Sequence, residues 1–176
     1  MKPYCYQYPR PEVTADDVVW GWQNGEAHVL LIRRGKEPFR GCWALPGGFM
    51  EMDESAEACA MRELKEETGL CVLSVRQVGT FSAPERDPRG RVVTVAFYAF
   101  ADMRQELVRA GDDAAEARWF ALTGLPSLAF DHREILEAAF RQVRADRVAE
   151  WDVLQERAAV WPEGAVEEWL NTTEKA

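Results

Sequence analysis

Between Gly47 and Leu70 the chain reads GGFMEMDESAEACAMRELKEETGL, and the last turns of this stretch carry Glu63, Glu66 and Glu67. At about 100° per residue, three acids at this spacing share an arc of roughly 100° on one helix face. They stand at the negative pole of the helix, where each exposed acid is disfavoured by about 0.3–1 kcal/mol. Like charges three and four residues apart repel further. A divalent cation seated among the carboxylates would offset much of that repulsion. An all-oxygen donor set selects Mg²⁺, with Mn²⁺ as a substitute, over zinc. Pro46-Gly47-Gly48, just upstream, lets backbone carbonyls approach closely and offers a further oxygen. The competing reading is a solvated acidic face with no ligand.

The elements that must position these acids follow from the apolar pattern. The helix begins near Asp53–Ser55 and ends at Gly69, suited to a left-handed position after the last turn. Ala56, Ala60, Leu64 and Thr68, with Met61 beside them, line a second face that can pack on a sheet. Val13–Trp22 and Ala27–Arg33 flank Gln23-Asn24-Gly25-Glu26, a strong hairpin signal. A charged loop, Arg34–Gly41, leads to a short apolar piece, Trp43–Leu45, which Pro46-Gly47-Gly48 stops. Cys71–Gly79, Val92–Ala101 and Ala117–Phe120 read as strands. From Asp131 the period becomes helical. Asp131 and Glu134 form a capping-box pattern, and Ile135, Leu136, Ala139, Phe140 and Val143 make one stripe. Two more helical segments, around Glu150–Val160 and Ala165–Leu170, are separated by Pro162 and Gly164. Strands with interspersed helices predict a single α/β or α+β domain over residues 1–176.

The composition excludes several classes. The 176 residues carry a formal net charge of −9, which argues against nucleic acid as a partner, since phosphate backbones are bound through Lys and Arg. A small anionic substrate remains compatible if a cation mediates the contact. No apolar run approaches the roughly 18–20 residues of a membrane span. The N-terminal MKPYCYQYPRPE lacks the apolar core of a signal peptide, so the expected compartment is the cytoplasm. The four cysteines (Cys5, Cys42, Cys59, Cys71) have no zinc-ligand spacing and read as free thiols. His28 and His132, the two histidines, leave little for a His-based metal site or a nucleophilic triad and read as structural or surface residues.

The spacing of the acidic stretch decides against the solvated face. Gly48, five residues, Glu54, seven residues, Arg62-Glu63-Leu64, one residue, Glu66-Glu67, one residue, Gly69-Leu70 resembles the Nudix hydrolase signature GX5EX7REUXEEXGU at all nine specified positions. That resemblance implies Glu63, Glu66 and Glu67 as metal ligands, with the Gly47 carbonyl adding one more. It implies that Glu54 and Arg62 pair across the loop–helix junction, that Leu64 packs inward, and that Gly48 and Gly69 serve the backbone. The fold it implies is an α/β/α sandwich around a mixed sheet. The core spans about residues 12–143, followed by a helical C-terminal extension over about 144–176. The reaction it implies is hydrolysis of a nucleoside diphosphate linked to a group X, in which a carboxylate takes a proton from the attacking water. Glu66, Glu67, Glu85, Asp112, Asp113 and Glu116 are candidates for that base.

The clue to X lies in Phe81–Arg91, an irregular link longer than a hairpin needs, which brings Arg86, Arg89 and Arg91 near a site poor in cations. A plain Asp-Pro-Arg-Gly turn with solvated arginines is the alternative. RDPRGRVVTVAF resembles a Nudix subgroup of ADP-ribose pyrophosphatases and ADP-ribose-sensing regulators of NAD metabolism. This makes ADP-ribose, cleaved to AMP and ribose 5-phosphate, the leading substrate, with Arg86, Arg89, Arg91 and Phe81 as substrate-binding residues. Trp20, Trp22, Phe39, Trp43 and Phe81 are conceivable adenine stackers. A second enzymatic reading is a sanitising hydrolase of oxidised or non-standard nucleoside triphosphates. A third is a non-catalytic ADP-ribose-sensing regulator. The intact signature speaks against that last reading, as does the acidic tail, where seven acids face two bases from Glu150 onward. Trp151, Trp161 and Trp169 are expected to pack on the domain or on a second copy, and the family makes a homodimer the candidate assembly.

Overall fold

The structure, a computed structural model, describes residues 5–23, 26–101, 103 and 114–149. β1 (Glu12–Gln23) is the longest described strand and the axis of the sheet. It runs antiparallel to β2 (Glu26–Arg34) through residues 20–23, and parallel to β6 (Val92–Phe100) through residues 12–20. β5 (Arg76–Phe81) extends the sheet antiparallel to β6. β3 (Trp43–Ala44) and β7 (Ala114–Ala121) both pair with β2, and β4 (Gly47–Phe49) pairs with β1 at residues 14–16. The result is a mixed seven-stranded sheet.

Strand alternation sends β1 side chains to two different helices. Ala15 and Val19 pack with Cys59, Ala60 and Leu64 of α1 (Ala56–Thr68). Val18 and Trp20 pack with Ile135, Leu136, Ala139, Phe140 and Val143 of α2 (His132–Ala149). One helix therefore covers each face, giving the expected α/β/α sandwich. The α2 stripe is the one predicted from its period. Cys59 joins the buried face of α1 as a small packing residue.

Three element boundaries differ from the sequence reading. Gly47–Phe49, expected as a stop, is a strand because β1 supplies the partner backbone. The strand expected from Cys71 starts at Arg76, because Leu70 is buried and its N–H is bonded to Thr68 Oγ1 at 3.1 Å, so the chain must first leave the helix. β7 is longer than expected, since its register with β2 continues to Ala114. The Asn24-Gly25 turn, Asp112 and Asp113, and the segments beyond Ala149 with Trp151, Trp161 and Trp169 lie outside the described residues.

Two acids in the middle of β1 defy the strand's apolar character. Asp17, on the α1 face, is fully buried, and neither carboxylate oxygen has a hydrogen-bond partner among the described residues. Burial, with the neighbouring Asp16 charge, pushes its carboxyl from 3.8 up to about 7. A raised folded pKa means the native state holds the proton more tightly than the unfolded chain. The associated stability is full below about pH 4 and is lost as the pH rises through about 7. Asp17→Asn is therefore expected to raise the melting temperature at pH 8 by about 3 °C or more, the shift that about 1 kcal/mol makes in a chain of this size. Little change is expected at pH 4.5. An equal shift at both pH values, read by thermal melts, overturns the assignment of a charged, unpaired Asp17.

Candidate active site

α1 is set by its ends. Ser55 Oγ accepts the Ala58 N–H at 3.2 Å, and Gly69, at φ 75°, turns the chain out while its N–H bonds Lys65 O at 2.9 Å. With Cys59, Ala60, Leu64 and Thr68 buried, Arg62, Glu63, Glu66 and Glu67 project from the helix beside β4.

Arg62 gathers this group. Its Nε and Nη2 donate to the two Glu54 carboxylate oxygens at 3.0 and 2.7 Å. Nη1 donates to Glu63 at 2.7 Å and Glu66 at 3.1 Å, and Nη2 also reaches the Phe49 carbonyl at 3.2 Å. One guanidinium thus ties the loop before α1, the helix face and β4 together. The bond to Arg62 holds the Glu54 carboxyl far below its usual range, and the Glu54 bond raises Arg62 in return. The Glu54–Arg62 pair implied by the family resemblance is present.

Gly47 is glycine for steric reasons, while a side chain on Gly48 would displace the Glu63 carboxylate. A Cβ on Gly47 would stand 2.3 Å from Ala15 O and 2.4 Å from Asp16 Oδ1; on Gly48 it would stand 2.5 Å from the Glu63 carboxylate. This closeness lets the Gly47 N–H donate to Glu67 Oε2 at 3.0 Å. Burial pushes Glu67 up to about 8, with the Gly47 bond opposing and Glu63 adding to the rise. Glu63 is raised as well, chiefly by burial. The donor set fits a hard divalent cation: carboxylate oxygens crowded at a helix C-terminus, two of them buried enough to resist ionisation. It is not a finished cage. Among the described residues no three acidic, Cys or His side chains are arranged to hold a metal, because Glu63 and Glu66 turn to Arg62 and Glu67 to Gly47.

The acids of β1 were missed by the sequence reading. Asp16 lies on the opposite face from Asp17, close to Gly47 and bonded to Thr94, and burial raises it to about 7 against the pull of Arg86. The available signal was two adjacent acids inside an apolar strand, a local conflict that natural chains tolerate mainly at functional or strained sites.

The expected substrate residues are placed differently from one another. Arg86, expected as a free cation, is buried and forms a bidentate pair with Asp131 at 2.8 and 2.6 Å. Asp131 thus takes a cation from the 82–91 loop as well as standing before α2. Arg89 is paired with Asp87, at 3.0 and 2.6 Å, but its side chain keeps 35% of its surface exposed. Arg91 donates to the Ser82 carbonyl at 2.8 Å. Phe81 packs against the main core rather than standing free. Trp20 is wholly buried against Phe140, and Trp43 meets Phe120 edge to face, which makes both core residues. The Trp22 side chain lies outside the described residues, while Phe39 is exposed. His132 is buried, and its Nδ1 accepts the Leu45 N–H at 2.9 Å. Burial, with Arg86 nearby, holds that ring down to about 3, so it stays neutral. Of the candidate bases, Glu85 is exposed and Glu116 is paired with Arg118.

Because Glu67 keeps its proton up to about pH 8, a cation that it ligates must displace that proton. Apparent Mg²⁺ affinity is expected to rise from pH 6 to pH 8.5, with proton release seen by calorimetry in buffers of different ionisation heat. A pH-independent affinity would place the cation away from Glu67.

Comparison with known proteins agrees with this geometry. The model of the NUDIX domain matches residues 15–139. An ADP-ribose pyrophosphatase of Methanocaldococcus jannaschii is 43% identical over 134 residues, 76% of this chain and 76% of that protein. A MutT/nudix family protein from Enterococcus faecalis superposes with a TM-score of 0.78 at 38% identity, covering 87% of this chain and 70% of that one. The NUDIX domain of Shewanella oneidensis NrtR, crystallised with ADP ribose, does so with a TM-score of 0.71 at 31% identity, covering 77% of this chain and 90% of that one. With its full signature folded around Arg62 and the glycine pair, the chain belongs to the Nudix hydrolase family.

Proposed function

We propose that this protein hydrolyses the diphosphate of ADP-ribose, giving AMP and ribose 5-phosphate. The observation that carries the reading is the Arg62 assembly, in which one guanidinium holds Glu54, Glu63 and Glu66 beside Glu67 and Gly47. The choice of substrate draws on the Methanocaldococcus jannaschii relative and on the NrtR domain with ADP ribose.

In this reading Glu63, Glu66, Glu67 and the Gly47 carbonyl hold Mg²⁺, with Mn²⁺ as a substitute. A cation held there would neutralise pyrophosphate oxygens and make a water more acidic. Arg62 and Glu54 keep the carboxylates in place. Glu67 gives up its own proton when it ligates the cation, and a carboxylate of this group would then take the proton that the attacking water gives up. Arg89 is the loop cation best placed for the substrate, because its partly exposed guanidinium lies beside Phe49 of β4. Arg86 fixes the loop to α2, and Arg91 braces its own loop. The working assembly is a homodimer of single-domain chains in the cytoplasm, acting on a small nucleotide without nucleic acid or membrane. No described helix is long and apolar enough to cross a membrane.

A second reading, binding of ADP-ribose without cleavage, draws on the likeness to the NrtR domain. Product analysis separates the two. Purified protein with Mg²⁺ is expected to split ADP-ribose into AMP and ribose 5-phosphate well ahead of NADH, ADP-glucose, 8-oxo-dGTP and dATP. Glu67→Gln is expected to lose at least about 100-fold in rate. Release of pyrophosphate from a triphosphate would instead make the protein a nucleotide-pool sanitiser. Binding with no product would favour a sensor.

A further inference from the structure

Beside the carboxylates, at the edge of the core, stands a group of aromatic and guanidinium side chains. Phe49 follows Gly48 on β4, and its carbonyl is held by Arg62 Nη2, yet 39% of its surface is exposed. Arg89 Cζ lies 4.8 Å from the Phe49 ring centroid and 5.4 Å from that of Phe130. Arg34 Cζ lies 4.8 Å from the Phe130 centroid, and Arg34 is also within electrostatic reach of Glu67. Phe39, likewise 39% exposed, meets Phe130 edge to face at 4.7 Å. Five side chains from five separate segments converge here: the end of β2, the following loop, β4, the 82–91 loop and the link before α2.

The backbone is strained where two of these rings are held. Phe39 and Phe130 have φ of 62° and 53°, a left-handed conformation that bulky residues adopt rarely and that clusters at ligand sites. Phe130 is backed by Ile32, Ala44 and Ala129, which gives it a firm support. Aromatic faces and guanidinium planes side by side suit a planar π-system carrying negative charge. A nucleobase joined to phosphates has that chemistry, and the carboxylate centre that would receive the diphosphate is fastened to Phe49 through Arg62.

We propose that Phe49 and Phe130, with Phe39, Arg34 and Arg89, form the subsite for the adenine base of the substrate. The rings stack the base, and the two arginines face the phosphates. The proposal rests on the nucleotide reading above and assigns the base half of the substrate to this side of the centre. Stacking tolerates any purine, so the subsite sets affinity for a base more than the choice among bases.

The test uses the full chain with Mg²⁺ and its two products as probes. Phe49→Leu and Phe130→Leu are expected to weaken AMP binding by about tenfold, measured by calorimetry and as competitive inhibition. The KM for ADP-ribose is expected to rise in parallel, with ribose 5-phosphate binding unchanged. Unchanged AMP affinity in a folded Phe49→Leu, whose side chain is exposed and whose carbonyl to Arg62 is kept, overturns the proposal. So does a loss confined to ribose 5-phosphate, which would assign the recess to the sugar phosphate. So does a wild-type chain that does not bind AMP. A wild-type chain that binds AMP but cleaves nothing removes the catalytic reading, and the Phe49→Leu titration still decides the subsite.

Discussion

The site depends on one guanidinium. Glu63, Glu66 and Glu67 gather where the helix dipole and their mutual repulsion both disfavour them. Arg62 supplies the compensating charge from within the same helix. Because its donors are fixed in a planar fork, it reaches four acceptors on three segments at once: Glu54, Glu63, Glu66 and the Phe49 carbonyl. Lysine has the charge without the fork and could not span them. The loop before α1, the helix face and β4 are therefore held in mutual register by a bond set centred on a single side chain.

The sheet contributes the other half of the constraint. β1 pairs with β4 at the residues that precede Asp17, which brings Gly47 against Ala15 and Asp16 so closely that only glycine fits. That contact directs the Gly47 N–H at Glu67 and buries the carboxylate. The same strand carries Asp16 and Asp17 into low-dielectric surroundings on its two faces, and both are held well above the ordinary carboxylate range. Charge is thus concentrated in the middle of the sheet at a cost in stability, beside a centre suited to a cation. This is the trade between stability and function expected of an active site.

The segment before α2 links the far side of the centre to the near side. Arg86 of the 82–91 loop is locked to Asp131, and the next residue, His132, caps the Leu45 N–H just ahead of the Gly47 turn. Both side chains are buried, so the loop and the turn share one rigid support. Arg86 is better understood as part of that support than as a free cation. The exposed Arg89, with Phe49 and Phe130, is what the loop and its surroundings present outward.

The acidic helix and its ends were legible along the chain, and the likeness of its spacing to the Nudix signature carried the reaction class. Ser55, Gly69, the apolar face of α1 and the acidic signature are all local, fixed by spacing along one helix. The α2 stripe and most of the strand pattern were legible for the same reason, since periodicity needs no partner. Tertiary structure alone decided what depends on distant pairing. Gly47–Phe49 is a strand only because β1 lies beside it, and Asp16 matters only because that pairing sets it against Gly47. Three arginines in one loop look equivalent in sequence. Asp131, 45 residues from Arg86, makes one a strut, whereas Asp87, two residues from Arg89, leaves that guanidinium partly exposed over two rings. A residue's type sets which bonds it can form, but the partner that long-range folding brings determines which of them it makes.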